Sequence, residues 1–278
     1  MEYRFTSIHE IKNILAANNA GVRKKWGQNF LIDKNYIKKI SEIVLSMEGS
    51  YLEIGPGLGA LTAAILQANK PLTSVEIDPV YVKVLATEFE EFPNFHIIHE
   101  DALSYLKRKP DFSVVCGNLP YYISTDLILC VLEYVRPRHA CFLLQKEFAL
   151  RLCKNELSSL YVYAGNFGTW HYAFDVPPGA FYPNPTIVSA LVTFKSGELR
   201  CNPEVLSNLL RTTYRGKRKK IANAWKMRDG FIDVELLLTA AAITGIDTDR
   251  RPEEIKASEY YSMANYLEKS IPKKPLHS

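Results

Sequence analysis

The 278-residue sequence has no long apolar run. Its most apolar stretch, Leu127 to Leu132, falls far short of the roughly 18 uncharged residues that a bilayer span requires. The amino terminus, MEYRFTSIHEIKNIL, carries acidic residues where a signal peptide has its apolar core, so no secretory leader and no membrane partner are expected. Cysteine is sparse: five residues, an odd number, scattered and in no CxxC pair. That pattern argues against a disulfide framework and against a zinc site, and points to reduced core thiols in a cytoplasmic protein with no bound metal. Internal repeats and low-complexity tracts are also missing. With 47% hydrophobic and 23% charged residues, the composition is that of a globular chain.

Acidic residues are absent from one segment in particular. Between Arg211 and Arg228 there are eight basic residues and no carboxylate, while the remaining chain holds 26 basic and 30 acidic residues. The net charge of +4 therefore hides a mildly acidic body with one concentrated basic stretch, whose densest part is Arg215, Lys217, Arg218, Lys219 and Lys220. Such a division suits a polyanion met by one face, although a charge run is also how a solvated helix face looks.

The first half alternates apolar strand-like runs with amphipathic helical stretches. Strands are expected at 51–54, 72–77, 95–99, 113–116 and 140–144, with helices such as 61–68 and 80–89 between them. Alternation of this kind gives right-handed crossovers and a parallel sheet covered on both faces. Two further runs, 170–176 and 187–194, flank the Pro-rich segment VPPGAFYPNP and suit an antiparallel addition at one edge. Beyond about Lys195 the pattern turns helical, with segments at 203–214, 217–225, 234–244 and 257–267, and Gly245 as a helix stop. The expected organisation is an α/β domain over residues 1–196 and a small all-helical domain over 197–278.

Tyr51-Leu-Glu-Ile-Gly-Pro-Gly-Leu-Gly59 reads as a strand running into a glycine turn and then a helix, a layout that brings backbone amides close to a ligand. Gly55-x-Gly57-x-x-Ala60 loosely fits a dinucleotide fingerprint, and Glu76, about 20 positions on, stands where an acidic residue would hold a ribose. The same layout serves the nucleoside of S-adenosyl-L-methionine, and the turn alone does not choose between the two. Glu53 would repel a pyrophosphate but suits an ammonium group. Asp101, after the third strand, is placed to accept from an adenine amino group, and also to cap the helix that follows.

Cys116-Gly-Asn-Leu-Pro-Tyr-Tyr122 follows the fourth strand. Methylating an exocyclic amine needs a nitrogen lone pair that is otherwise delocalised into the purine ring. The Asn118 side-chain oxygen and a neighbouring carbonyl, that of Leu119, suit acceptance of both N6 protons, favouring a more tetrahedral nitrogen through fixed dipoles. Pro120 stiffens the turn and Tyr121 offers a face on which a base can stack. Phe181 is a candidate to close the second face of a flipped-out base; packing under the Pro-rich loop is the equally weighted alternative.

With these residues in hand, the chain resembles the small-subunit (16S) rRNA adenine N6-dimethyltransferase family. The resemblance runs from about Arg23 to Leu267 and rests on Lys25-Trp-Gly-Gln-Asn-Phe-Leu31, Glu53-Ile-Gly-Pro-Gly-Leu-Gly59, Val75-Glu-Ile-Asp78, Glu100-Asp-Ala102, Gly117-Asn-Leu-Pro-Tyr121, Leu144-Gln-Lys-Glu147 and Val176-Pro-Pro-Gly-Ala-Phe181. It implies a Rossmann-like class I methyltransferase domain with a mostly parallel seven-stranded sheet, and S-adenosyl-L-methionine held by Asn29, Leu31, Gly55, Glu76, Asp101 and Asn118. It implies further that two adjacent adenosines in the 3′-terminal hairpin loop of 16S rRNA, within the assembling 30S particle, are the substrate of a monomeric enzyme active in small-subunit biogenesis. Departures from the family pattern are Trp26, Tyr122 in place of a common Asn, and a shortened loop over Cys153–Leu157. The rival readings are a 23S rRNA adenine methyltransferase of the antibiotic-resistance type, a non-catalytic assembly or transcription factor, and an NAD-dependent dehydrogenase.

Overall fold

A computed structural model of the chain describes residues 7–17, 29–154, 158–227 and 231–270. Its contacts divide the chain into two units: Met1–Ala149 with Trp170–Ser196, and Leu150–Thr169 with Gly197–Ser278. Among the described residues no helix is long and apolar enough to cross a membrane.

Among the described residues the first unit is built on nine strands: β1 (Phe30–Leu31), β2 (Tyr51–Ile54), β3 (Leu72–Glu76), β4 (Phe95–His99), β5 (Val114–Asn118), β6 (His139–Gln145), β7 (Gly168–Val176), β8 (Phe181–Tyr182) and β9 (Ser189–Ser196). Seven of them form one sheet in the order β4-β3-β2-β5-β6-β9-β7, and β1 and β8 make a separate antiparallel pair. Pairings from β4 through β6 are parallel, and β9 runs antiparallel to β6 with Gln145 opposite Ser189. All four residues of β2 are buried. Because successive side chains point to opposite faces, this strand is covered on both sides, as a crossover-connected parallel sheet requires. The order steps outward from β2 in both directions, so ligands are expected beside the carboxyl ends of β2 and its neighbours.

Connecting helices are α1 (Ile8–Ala17), α2 (Lys34–Leu45), α3 (Ala60–Gln67), α4 (Pro79–Glu88), α5 (Ala102–Leu106), α6 (Ser124–Cys130) and α7 (Lys146–Cys153). Asp33, Asp78 and Asp101 cap α2, α4 and α5 by accepting from backbone amides of the first turn. Helix α1 lies outside the sequence expectation. It buries Ile11 and Leu15 in a small cluster with Phe30, Leu58 and Tyr81, and so braces the glycine turn.

The helical unit contains α8 (Ser159–Gly165), α9 (Pro203–Tyr214), α10 (Ile221–Trp225), α11 (Val234–Thr244) and α12 (Ala257–Ser270). Asn202 caps α9, with Pro203 at the first helical position, where its missing N–H costs nothing. Gly245 ends α11 at φ +71°, a left-handed conformation suited to glycine. A single cut after residue 196 misplaces Leu150–Thr169, which packs with the helices. The reason is chemical: buried Asn166 accepts from the Arg200 and Cys201 amides at 3.0 Å each and donates to the Cys201 carbonyl at 3.1 Å. The Tyr261 hydroxyl also donates to the Val162 carbonyl at 2.7 Å. Helix α10 starts at Ile221 rather than Lys217, because residues 215–220 form a turn closed by Lys219 N–H donating to the Gly216 carbonyl at 2.7 Å.

Candidate active site

A cleft opens at the carboxyl edge of β2, β3 and β5 and is lined by Asn29, Leu31, Gly55, Glu76, Asp101 and Asn118, among others. Every residue expected to hold a cofactor is therefore brought to one place. Gly55 sits at φ +65°, and a Cβ there would meet no atom within 4 Å. The position combines a backbone that L side chains avoid with open space above it, as a ligand lying against the main chain needs.

Glu76 ends β3 beneath this turn, buried at 6% exposure. Its carboxylate accepts from the Gly57 amide at 3.2 Å and from the Ile77 and Asp78 amides at 2.9 Å each. Burial pushes its pKa up to about 7, with the three backbone donors opposing the rise. Glu53, fully buried behind the turn, is also pushed up to about 7 by desolvation, against hydrogen bonds from Thr62 Oγ1 at 2.6 Å and Ser74 Oγ at 3.2 Å. Asp101 caps α5 and also stands in the cleft wall. One oxygen caps α5 through Ser104 N at 2.9 Å and Ser104 Oγ at 3.1 Å, while the residue still lines the cleft.

The Asn118 tetrapeptide begins as β5 leaves the sheet. A Cβ on the preceding Gly117 would stand 2.3 Å from the Ile54 carbonyl, so only glycine lets β5 pass this close to β2. Asn118 Nδ2 donates to the Asn29 carbonyl at 2.9 Å, which leaves Oδ1 as the acceptor without a donor among the described residues. Leu119 N–H donates to the Leu143 carbonyl at 3.1 Å. The Pro120 carbonyl is taken by Ile123 N–H at 3.2 Å and Ser124 Oγ at 2.8 Å. The Leu119 carbonyl has no such donor among the described residues and is the second acceptor beside Asn118. Tyr121 shares a hydrogen bond of 2.8 Å with Ser189 Oγ on β9, which pins the phenol end of its ring.

Phe181 departs from its expected place. It is 0% exposed, lies in the core cluster that includes Leu31, Ile40 and Val176, and does not line the cleft. Pairing of β8 with β1, Leu31 opposite Phe181, turns its ring inward. The core alternative, an aromatic packed under the Pro-rich loop, is what the structure contains. Lys146 of the Leu144-Gln-Lys-Glu147 run is held in an ion pair with Asp175 at 2.5 Å. Trp26 and residues 155–157 of the shortened loop lie outside the described residues, as does Arg228.

Two features had no signal in the sequence. Ser189 reaches Tyr121 across 68 residues of chain, and a lone serine in an apolar strand carries no mark of that role. Thr62 and Ser74 read as ordinary helix and strand residues until Glu53 is seen between them.

Geometry of this kind, with two acceptors beside a stiffened turn and an open cleft next to it, is what amine methylation needs. A family described as ribosomal RNA adenine dimethylase matches residues 19–269. The chain belongs to that family. A ribosomal RNA small subunit methyltransferase A from Pseudomonas syringae pv. syringae is 34% identical over 267 residues, covering 90% of this chain and 96% of that protein. Among solved structures, a dimethyladenosine transferase from Plasmodium falciparum matches with a TM-score of 0.73 at 22% identity, covering 87% of this chain and 98% of that one. The 23S rRNA methyltransferase ErmE matches with a TM-score of 0.65 at 23% identity, covering 86% and 100%. The sheet of this rRNA adenine dimethylase is thus the class I methyltransferase sheet, and both structures share it. Fold alone does not separate small-subunit from large-subunit substrates.

Proposed function

We propose that this family member transfers methyl groups from S-adenosyl-L-methionine to the N6 amines of two adjacent adenosines in the 3′-terminal hairpin loop of 16S rRNA. The substrate in this reading is the assembling 30S particle, met by a monomeric cytoplasmic enzyme during small-subunit biogenesis. The observation that carries it is the pair of acceptors at Asn118 Oδ1 and the Leu119 carbonyl, set beside the cleft that Glu76 and Asp101 line.

S-adenosyl-L-methionine supplies an already activated sulfonium methyl, so no metal or protein nucleophile is needed. Glu76 accepts from ribose hydroxyls, Asp101 from the adenine amine, and Gly55 lets the ligand lie against the backbone. Asn118 and Leu119 accept the two N6 protons of the target, orienting its lone pair toward the methyl carbon. A monomethylated amine keeps one N–H, and one of the two acceptors still holds it for the second transfer. The basic turn over Arg215, Lys217, Arg218, Lys219 and Lys220 supplies phosphate contacts, which position RNA without choosing the base.

The test is methyl transfer to immature 30S and 50S particles by the wild type and by Asn118→Ala. We expect dimethyladenosine in 16S rRNA only, and a loss in kcat of about a hundred-fold for the variant, the order seen when one fixed transition-state dipole is removed. Methylation confined to 23S rRNA, or an Asn118→Ala enzyme as fast as wild type, would overturn the reading.

A further inference from the structure

Tyr121 and Tyr122 are consecutive but placed differently. Tyr121 is tied to Ser189 inside the cleft. Tyr122 lines the same cleft yet is 63% exposed, the most exposed large hydrophobic side chain among the described residues. Among the described residues it has no hydrogen-bond, ring or cation partner. It also sits on a stiff support. Pro120 fixes one φ, the Ile123 amide closes the turn onto the Pro120 carbonyl at 3.2 Å, and Ser124 Oγ adds a second bond at 2.8 Å. An aromatic ring displayed on a rigid turn at a cleft mouth binds a planar partner with little ordering cost.

The proposed reaction creates such a partner. Drawing one base of a single-stranded loop into a pocket strips its neighbour of a stacking face. We infer that Tyr122 forms an outer stacking subsite for the nucleotide adjacent to the one in the pocket, so that the enzyme holds two consecutive bases on two consecutive tyrosines. This rests on the adenosine-methylation reading above and deepens it. With two adjacent target adenosines, the base outside the pocket on Tyr122 is itself a substrate of the other catalytic round. The subsite therefore favours loops with a purine beside the target, because a larger ring system stacks more strongly.

The test uses 30S particles reconstituted with 16S rRNA in which one of the two adjacent adenosines is replaced by 2-aminopurine. That base has no N6 amine and cannot be methylated there, and its fluorescence is quenched by stacking. Two such particles are made, one for each position. With wild-type enzyme the remaining adenosine is methylated, and the 2-aminopurine of at least one particle is quenched on binding. Tyr122→Ala restores that fluorescence and raises KM for the particle about ten-fold, the order of one base–aromatic stack, with cofactor affinity unchanged. Tyr122→Phe behaves as wild type. Equal quenching and equal KM for wild type and Tyr122→Ala at both positions overturn the subsite while leaving the methylation reading intact. If the wild type methylates neither particle nor unmodified 30S particles, the methylation reading itself fails.

Discussion

Two buried carboxylates with pKa values near 7 make the cleft sensitive to pH at physiological values. Glu76 ionises in the unfolded chain at the usual carboxylate pKa of 4.5, but in the folded protein only near 7. Between those values the folded state holds the extra proton, so this group's contribution to stability falls as pH rises from 4.5 to about 7 and is level above that. Ligand binding runs the other way. In the proposed reading ribose hydroxyls donate to the ionised form, so cofactor affinity should rise as pH passes through 7 and protons should be released on binding. Calorimetry in buffers of different ionisation enthalpy measures both. Glu76→Gln should weaken the cofactor by roughly ten- to a hundred-fold, as expected for lost bonds to a charged acceptor, and should flatten the pH dependence. A variant that keeps the full pH dependence would assign it to Glu53. At this scale the sequence was informative where chemistry is local. Glu76 and Asn118 end β3 and β5, Asp101 comes two residues after β4, and the fold delivers all three to one cleft. Ser189 was invisible because its partner is chosen by strand order, which no local pattern encodes.

Among the elements, the two-residue strands β1 and β8 carry the clearest lesson. Sequence periodicity gave β2, β4, α9 and α11 with bounds that match the structure, since caps, alternation and the Gly245 stop act within a few residues. It missed the β1–β8 pair, which is too short to show a period and joins residues about 150 apart. Without that pairing, the sequence leaves Phe181 equally open to a place at the substrate base and to one packed under the Pro-rich loop. The pairing also ties Phe181 to Leu31, a lining residue of the cleft. Phe181→Ala should therefore cost about 3–5 kcal/mol in denaturant unfolding, the usual price of emptying an aromatic core site. Cofactor binding should weaken with it. Phe181→Leu fills most of the volume and should retain kcat within a few-fold. A Phe181→Leu enzyme that is fully folded yet about a hundred-fold slower would return the ring to the base.

For the whole molecule, charge and chemistry are divided between the two units. The cleft and its acceptors belong to the α/β unit, and the basic turn belongs to the helical one. Arg215, Lys217, Arg218, Lys219 and Lys220 are all exposed around buried Gly216, where a Cβ would meet Ala224 Cβ at 2.9 Å and open the turn. Lys220 lies 3.1 Å from Asp249 and is partly neutralised. Replacing all five basic residues with glutamine should weaken 30S binding and lower the slope of log affinity against log salt by about three to four units, as lost phosphate contacts do. Cofactor affinity should not move. Cofactor loss would instead mean that the turn supports the α/β unit's fold. The sequence located this segment by composition alone, but it could not show that Leu150–Thr169 folds with it. Tyr261 meets Val162 across 99 residues of chain, a distance at which no periodicity is felt.

The bond from Asn118 Nδ2 to the Asn29 carbonyl has a consequence beyond placement. A primary amide is nearly symmetric in shape, and turned end for end it would offer hydrogens to an amine that needs acceptors. A main-chain carbonyl can only accept, so it tolerates one of the two orientations and rejects the other. Chemical polarity at the reaction centre is thus written into the backbone of the segment before β1, where no side chain has to encode it. By the same logic aspartate, although the same size, is not a conservative replacement for Asn118. A carboxylate facing that carbonyl oxygen would be repelled from the position that the amide is held in.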